Sequence, residues 1–270
     1  MNLLDLFFPK GIYCPSCERP LPPWSGEGAA FCKSCMDSIT WVKGRICAKC
    51  GRALSGENHT DLCFDCQMSG ERHFGRGYAC ALYTGRAAEI VRSVKYQGNA
   101  WIAEAVAQVM AERYFSEADA ETGEIPMYDG IVAVPMATGK KEIRGYDQAA
   151  LLARWVSRRT TIPFLQGALT RTRETPVMSG LSQEERRQNL TGAFAASYDM
   201  MKQGIGKRLL LVDDVYTTGS SVDACAEKLL DAGAQTVDIL VFAIGADVRR
   251  AEDRPAVVES PGQLRAKGPT

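Results

Sequence analysis

The sequence predicts an α/β protein, an open parallel sheet with helices on both faces, carrying a small cysteine-rich region at its amino end. Three observations predict it. Residues 130–136, 209–216 and 237–244 are near-continuous apolar runs, the mark of strands covered on both faces. Between the last two, Val222, Ala226, Leu229, Leu230 and Ala232 recur at helical spacing before Gly233, as a parallel strand-helix-strand crossover requires. Four Cys-x-x-Cys pairs precede all of this. With 270 residues, 46% hydrophobic, the chain can fill a real core, and its net charge of zero suggests no polyanion as obligatory partner.

At the amino end the pairs are Cys14/Cys17, Cys32/Cys35, Cys47/Cys50 and Cys63/Cys66. A Cys-x-x-Cys turn aims two thiolates at one point, so two pairs complete the tetrahedral sulfur shell of a structural zinc, and eight cysteines predict two zinc ions. Pairing in sequence order is the simpler expectation. Gly51, after Cys50, supplies the backbone freedom that a turn under a metal often needs. Disulfides are the first alternative, but the apolar stretch 3–8 is too short for a signal peptide and is closed by Pro9. A cytoplasmic location with reduced thiols is therefore expected. Thiol exchange is the second, and four regularly spaced pairs outside any βαβ pattern fit metal better. His59 and His73 are expected at the surface, and Cys80 and Cys225, on apolar segments, in the core. Up to Arg76 the region carries nine Lys or Arg against eight Asp or Glu, a weak footprint for nucleic acid. Its aromatics Phe7, Phe8, Trp24, Phe31, Trp41 and Phe64 could fill a small core or stack on bases.

Two helical stripes follow, Ala87, Ile90, Val91 and Val94, then Trp101, Ile102, Val106, Val109 and Met110, both expected to be core. Lys95, at the break before Gly98, could face an anion or simply be solvated near the helix terminus. After the strand at 130–136, Lys140, Lys141 and Arg144 gather three cations that would suit a pyrophosphate, ahead of an amphipathic helix with Leu151, Leu152, Arg154 and Trp155. Further on, Ser182 with Glu185 reads as a capping box. Arg173, Arg186 and Arg187 nearby could close over an anion or be solvated helix charges.

The run Leu209-Leu210-Leu211-Val212-Asp213-Asp214-Val215-Tyr216-Thr217-Thr218-Gly219-Ser220-Ser221 is the most informative. An apolar strand delivers two acids to its end, and a hydroxyl-and-glycine turn then opens a helix. Thr217, Thr218, Gly219, Ser220 and Ser221 set small side chains and peptide N–H groups where donors and helix dipole favour a phosphate. The acids can accept from vicinal sugar hydroxyls near a divalent ion. Together they fit a phosphorylated sugar. An ordinary helix cap would need only one Ser, Thr or Asp. The sequence lacks Gly-x-x-x-x-Gly-Lys-Ser/Thr, and Gly204-Ile205-Gly206 precedes its strand, against NTPase and dinucleotide readings.

This run resembles the PRPP-binding motif of type I phosphoribosyltransferases, with Tyr216 where an aliphatic residue is general. Around it the chain resembles the ComF (competence protein F) family: Val134-Pro135, then Arg144-Gly145-Tyr146-Asp147-Gln148 against Arg-Gly-Phe-Asn-Gln, Leu152-Ala153, and the block from Arg171 to Phe194. Asp147 replaces an amide donor by a charge, and Met178 stands where relatives carry Gln. The resemblance spans Cys14 to Ala246 and implies a double zinc ribbon (1–76), a type I phosphoribosyltransferase domain (77–246) and a flexible tail (247–270). It implies that Asp213 and Asp214 hold the ribose hydroxyls, residues 217–221 the 5′-phosphate, and Arg144 with Lys140 or Lys141 the pyrophosphate, with magnesium bound alongside PRPP. The expected activity is phosphoribosyl transfer to an unknown nitrogen acceptor, linked to DNA uptake. Two alternatives remain: a non-catalytic PRPP-binding adaptor touching single-stranded DNA or a helicase, and a nucleobase-salvage enzyme. No membrane span is expected.

Overall fold

The structure, a computed structural model, describes residues 13–21, 30–55, 60–96, 100–117, 122–136, 145–173, 183–203 and 205–247. Four parallel strands build one sheet in the order β1 (Gly77–Leu82), β6 (Thr236–Ile244), β5 (Arg208–Tyr216), β2 (Gly130–Ala133). Beyond β2, a parallel bridge from Ile131 to Phe164 extends it, with Leu165 N–H donating to Ile131 O at 2.9 Å. The expected strand at 130–136 is thus shorter than its apolar run. Only Val134 N–H, donating to Val212 O at 3.0 Å, continues the ladder past Ala133.

Both faces of the sheet are covered, which is why β5 reads as unbroken Leu-Leu-Leu-Val. Leu210 and Val212 pack with Leu240 and Phe242 under α3 (Gly85–Tyr96), α4 (Ala100–Phe115) and α5 (Gln148–Thr160). Leu209 and Leu211 pack with Val237, Ile239 and Val241 under α8 (Ser220–Asp231). The two stripes before residue 111 do form α3 and α4, but Trp101 departs from the core expectation, with 55% of its surface exposed. Cys80 and Cys225 are buried as expected, and burial pushes both thiols up, Cys80 to about 12.

Three elements carried no distinctive sequence signal: strand β1, the antiparallel pair β3 (Leu169–Arg171) with β4 (Phe194–Ala196), and the short α7 (Tyr198–Gln203). Before β4 runs α6 (Gln183–Leu190), whose predicted cap Ser182 lies outside the described residues.

The amino-terminal region is stitched onto the sheet edge. Val42 N–H donates to Cys80 O and Leu82 N–H to Thr40 O, placing Trp41 beside β1. Its two short helices, α1 (Lys33–Asp37) and α2 (Phe64–Met68), each start at the second cysteine pair of a four-cysteine group. Gly51, at φ +73°, lies so close to Gly77 that a Cβ there would meet the Gly77 carbonyl oxygen at 2.2 Å. At the other end, Asp247, first residue of the expected tail, is tied down, its Oδ1 accepting from Phe64 N–H at 3.0 Å. Residues 248–270 lie outside the described residues. No helix among the described residues is long and apolar enough to cross a membrane.

Candidate functional site

The chain leaves β2 toward α5 on one face and β5 toward α8 on the other, so the carboxyl ends of these neighbouring strands flank a switch point, where open α/β sheets bind ligands. Asp213 and Asp214 stand there, at the end of β5. Burial, followed by the charge of Asp214, raises the Asp213 carboxyl well above the usual carboxylate range. Lys95 Nζ approaches Asp214 Oδ2 to 3.1 Å. Burial works against the lysine's charge, but Asp214 and Asp213 outweigh it and hold the ammonium. Of the two expectations for Lys95, the solvated side chain does not describe it: the anion that it faces in this structure is the Asp214 carboxylate.

The Gly-Tyr-Asp-Gln segment explains how Lys95 is placed. Tyr146 hydroxyl donates to Val94 O, and Gln148 Nε2 to Lys95 O at 3.4 Å, fastening the last turn of α3. Asp147 caps α5 through Oδ1, which accepts from Ala150 N–H at 3.0 Å, while Oδ2 accepts from Met136 N–H at 3.3 Å. Both oxygens serve the backbone, so a charge in place of an amide here is a structural choice.

Residues 213 and 215–222 enclose a cavity of about 90 Å³ at the start of α8. Gly219 caps this helix at φ +76°, and an added Cβ would meet the Tyr216 hydroxyl at 2.2 Å. Tyr216 thus fills the space under the turn, its ring edge-on to Phe74 at 6.1 Å. The carbonyls of the turn point into the protein. Tyr216 O accepts from Gly245 N–H (3.0 Å), Thr217 O from Arg52 Nη2 (2.7 Å), Thr218 O from Arg72 Nη2 (2.9 Å) and Gly219 O from Asp223 N–H (2.8 Å). In a planar trans peptide the N–H points opposite to the C=O, so the amides of Thr218, Gly219 and Ser220 face the other way, as an anion site requires.

Arg52 is buried at 2% exposure and also pairs with Asp65 at 2.7 Å. Burial opposes its charge, and Asp65 overcomes that and keeps it protonated. His73, expected at the surface, is half-buried: its N–H donates to Asp223 Oδ1 at 2.8 Å and its Nδ1 lies 3.3 Å from Oδ2. Its partner sits 150 residues downstream, beyond the reach of any local pattern. Arg72 and His73 line a cavity of about 490 Å³ between α2, residues 190–192 and α8. Since Arg72 holds Thr218 O, that cavity lies behind the turn, on its carbonyl side.

The cysteines form two groups in sequence order, Cys14/Cys17/Cys32/Cys35 and Cys47/Cys50/Cys63/Cys66, with all sulfurs of a group within 4.8 Å of one another. The Cys17 to Cys32 and Cys50 to Cys63 sulfur separations are 3.7 and 3.6 Å. A tetrahedron with Zn–S of about 2.3 Å asks for about 3.8 Å, while a disulfide asks for about 2.05 Å. The donor sets fit two structural zinc ions.

The remaining predicted residues divide as follows. Lys140, Lys141 and Arg144 lie outside the described residues, as do His59, Phe7, Phe8 and Trp24; Arg186 and Arg187 fall in α6 with their side chains outside description. Arg173 is engaged elsewhere, donating to Asn189 O at 2.8 Å and Thr191 O at 2.9 Å. Phe31 is buried and Trp41 donates to Met36 O, so neither offers a stacking face.

Fold and site define a class: an open parallel α/β domain with an acid pair and a hydroxyl-and-glycine turn at its switch point, braced by a module with two four-cysteine groups. Residues 3–67 match the family described as double zinc ribbon domain. Competence protein F of Haemophilus influenzae is 28% identical over 210 residues, covering 77% of this chain and 88% of that protein. DNA utilization protein YhgH of Escherichia coli K12 is 29% identical over 229 residues (84% and 94%), and competence protein ComFC of Bacillus subtilis 24% over 208 residues (75% and 78%). Over most of its length the chain is thus similar to proteins of the competence protein F (ComF) family. Solved structures resemble it loosely: the glutamine PRPP amidotransferase of B. subtilis at TM-score 0.35 and 18% identity, covering 55% of this chain and 30% of that one. The purine phosphoribosyltransferase of Pyrococcus horikoshii follows at 0.30 and 17%, covering 52% and 69%.

Proposed function

We propose that this protein binds PRPP with magnesium at the carboxyl ends of β2 and β5, on a type I phosphoribosyltransferase core, and transfers the phosphoribosyl group to a nitrogen acceptor in DNA uptake. The observation that carries it is the joint placement of Asp213, Asp214 and an anion turn whose carbonyls are held away from the ligand. Asp213 and Asp214 accept from the ribose 2′- and 3′-hydroxyls, and residues 217–221 hold the 5′-phosphate. Lys140, Lys141 and Arg144 are assigned to the pyrophosphate, with Arg186 and Arg187 as further candidates and Arg173 one only if it gives up its bonds to Asn189 O and Thr191 O. Magnesium, when bound with PRPP, screens the phosphate charges and polarises the leaving group. The C1–O bond to pyrophosphate breaks as the acceptor nitrogen forms the new bond to C1 and gives up its proton to solvent. Fixed cations at the departing charge supply the larger part of the rate enhancement. The acceptor has room in a cavity of about 420 Å³ beside β2, lined by Pro135, Met136 and Asp147.

Calorimetric titration of magnesium-PRPP tests this reading. Wild type is expected to bind and Asp214→Asn to lose binding; a folded, two-zinc wild type that ignores PRPP would overturn it. The names of the relatives, competence and DNA utilization, favour a second reading, a PRPP-binding adaptor that handles single-stranded DNA. It predicts salt-dependent DNA binding that survives Asp214→Asn, with no pyrophosphate released from PRPP.

A further inference from the structure

We infer that Arg52 and Arg72, both supplied by the zinc-bearing region, are positioning residues of the 5′-phosphate turn, so that the ribbon is a working part of the sugar-phosphate site. This rests on the PRPP reading above. Arg52 leaves the second cysteine group one residue after Gly51 and spans three acceptors with its two terminal nitrogens: Asp65 Oδ2, Ala246 O at 3.2 Å and Thr217 O at 2.7 Å. Arg72 bridges Ser69 Oγ at 2.6 Å and Thr218 O at 2.9 Å. Both guanidiniums are buried, and a buried charged donor holds its acceptor in one direction far more firmly than water would.

The consequence follows from peptide planarity. Fixing Thr217 O and Thr218 O on the ribbon side fixes the Thr218 and Gly219 N–H groups on the ligand side. Gly219, at φ +76°, has no side-chain constraint of its own and would sample other orientations without those two anchors. The packing of Tyr216 beneath Gly219 limits how far the turn can sink, but it makes no hydrogen bond that would orient the peptides. The cations therefore preorganise an anion site without touching the anion, and their contribution is specific to the 5′-phosphate.

Arg72→Ala is the test, because it leaves the Arg52 and Asp65 pair and all eight cysteines in place. Ribose 5-phosphate and magnesium-pyrophosphate are titrated separately into full-length wild type and variant, with zinc content and thermal melting recorded. Ribose 5-phosphate is expected to weaken by about tenfold or more, about 1.4 kcal/mol, while magnesium-pyrophosphate affinity and two zinc per chain are retained. Equal weakening of both ligands, or of neither, overturns the inference. Hydrogen exchange over 217–223 without ligand gives an independent readout: the variant should exchange faster there and unchanged exchange sinks the clamp. If wild type binds neither ligand but that exchange still accelerates, the PRPP reading fails and the clamp stands. Arg52→Lys is the companion variant, since one ammonium that stays with Asp65 cannot also reach Thr217 O in the same geometry, and the same split between ligands is expected.

Discussion

The two zinc sites have the same chemistry and different neighbours. In the first site Cys14 and Cys35 are buried and Cys17 and Cys32 partly exposed, and the group packs with Phe31 and Ile39 into the core beneath α3, α4 and α5. All four cysteines of the second site are buried, and they join the opposite core, with Phe74, Tyr216 and α8. The sites therefore straddle the β1 edge, one per face of the sheet, and only the second adjoins the turn at residues 217–221. The first buttresses the fold, and the second also supports the turn of the candidate site.

That asymmetry is broken most directly at the sulfurs. Structural zinc in such modules is worth about 10 kcal/mol of folding free energy. Cys63→Ser should lose one zinc and abolish ribose 5-phosphate binding. Cys17→Ser should also lose one zinc and lower the melting temperature, but bind the sugar phosphate within about threefold of wild type, less than 1.4 kcal/mol. Elemental analysis and calorimetry on the same samples decide, and equal loss in both variants would erase the distinction. Next in size is Asp65→Asn, which strands the buried Arg52 charge; breaking a buried pair costs about 3–5 kcal/mol, read as a shift in denaturant midpoint. The exposed pair Lys33 with Asp37, in the first module, is screened by solvent, and Lys33→Ala should leave the same midpoint unchanged.

A pH profile sharpens the comparison further. Burial and then Asp214 raise the Asp213 carboxyl, which shifts the free protein toward its protonated form, whereas the proposed magnesium-PRPP complex asks for the carboxylate. Binding must release that proton, and affinity should rise with pH through the raised Asp213 range and fall as pH drops through it. Calorimetry in buffers of different ionisation enthalpy should record the released proton in wild type and in Cys17→Ser alike, and lose it in Asp213→Asn. Tyr216→Phe is expected to act in the opposite direction or not at all. Among the described residues the buried Tyr216 hydroxyl has no hydrogen-bond partner, so its removal should be neutral or stabilising by up to about 1 kcal/mol in thermal melting.

Much of the candidate site was legible because its residues are local. Asp-Asp followed by Thr-Thr-Gly-Ser-Ser, and Cys-x-x-Cys four times over, are compact patterns whose neighbours in sequence are neighbours in space. Arg52, Arg72, His73 and Asp223 were not legible, since their partners stand 146 to 165 residues away and a lone arginine or histidine carries no period. One signal was available: Asp65 lies inside the fourth cysteine pair, and an acid placed among thiolates calls for a nearby cation. Lys95 was half-legible, its position at a helix end being plain and its partner not. The strand β1 escaped because Gly77 to Leu82 is short, lies under the ribbon and carries no acid or turn at its end.

The ion pair of Arg52 with Asp65 also bears on the order in which the molecule is made. Thr217 follows Arg52 by 165 residues, which at about 5–20 residues per second means a wait of roughly 8 to 33 s on the ribosome. During that interval the guanidinium already has a carboxylate partner within its own module. The nascent ribbon can thus load zinc and close around a neutralised charge first, and later receive Thr217 O on an Nη2 already set in place.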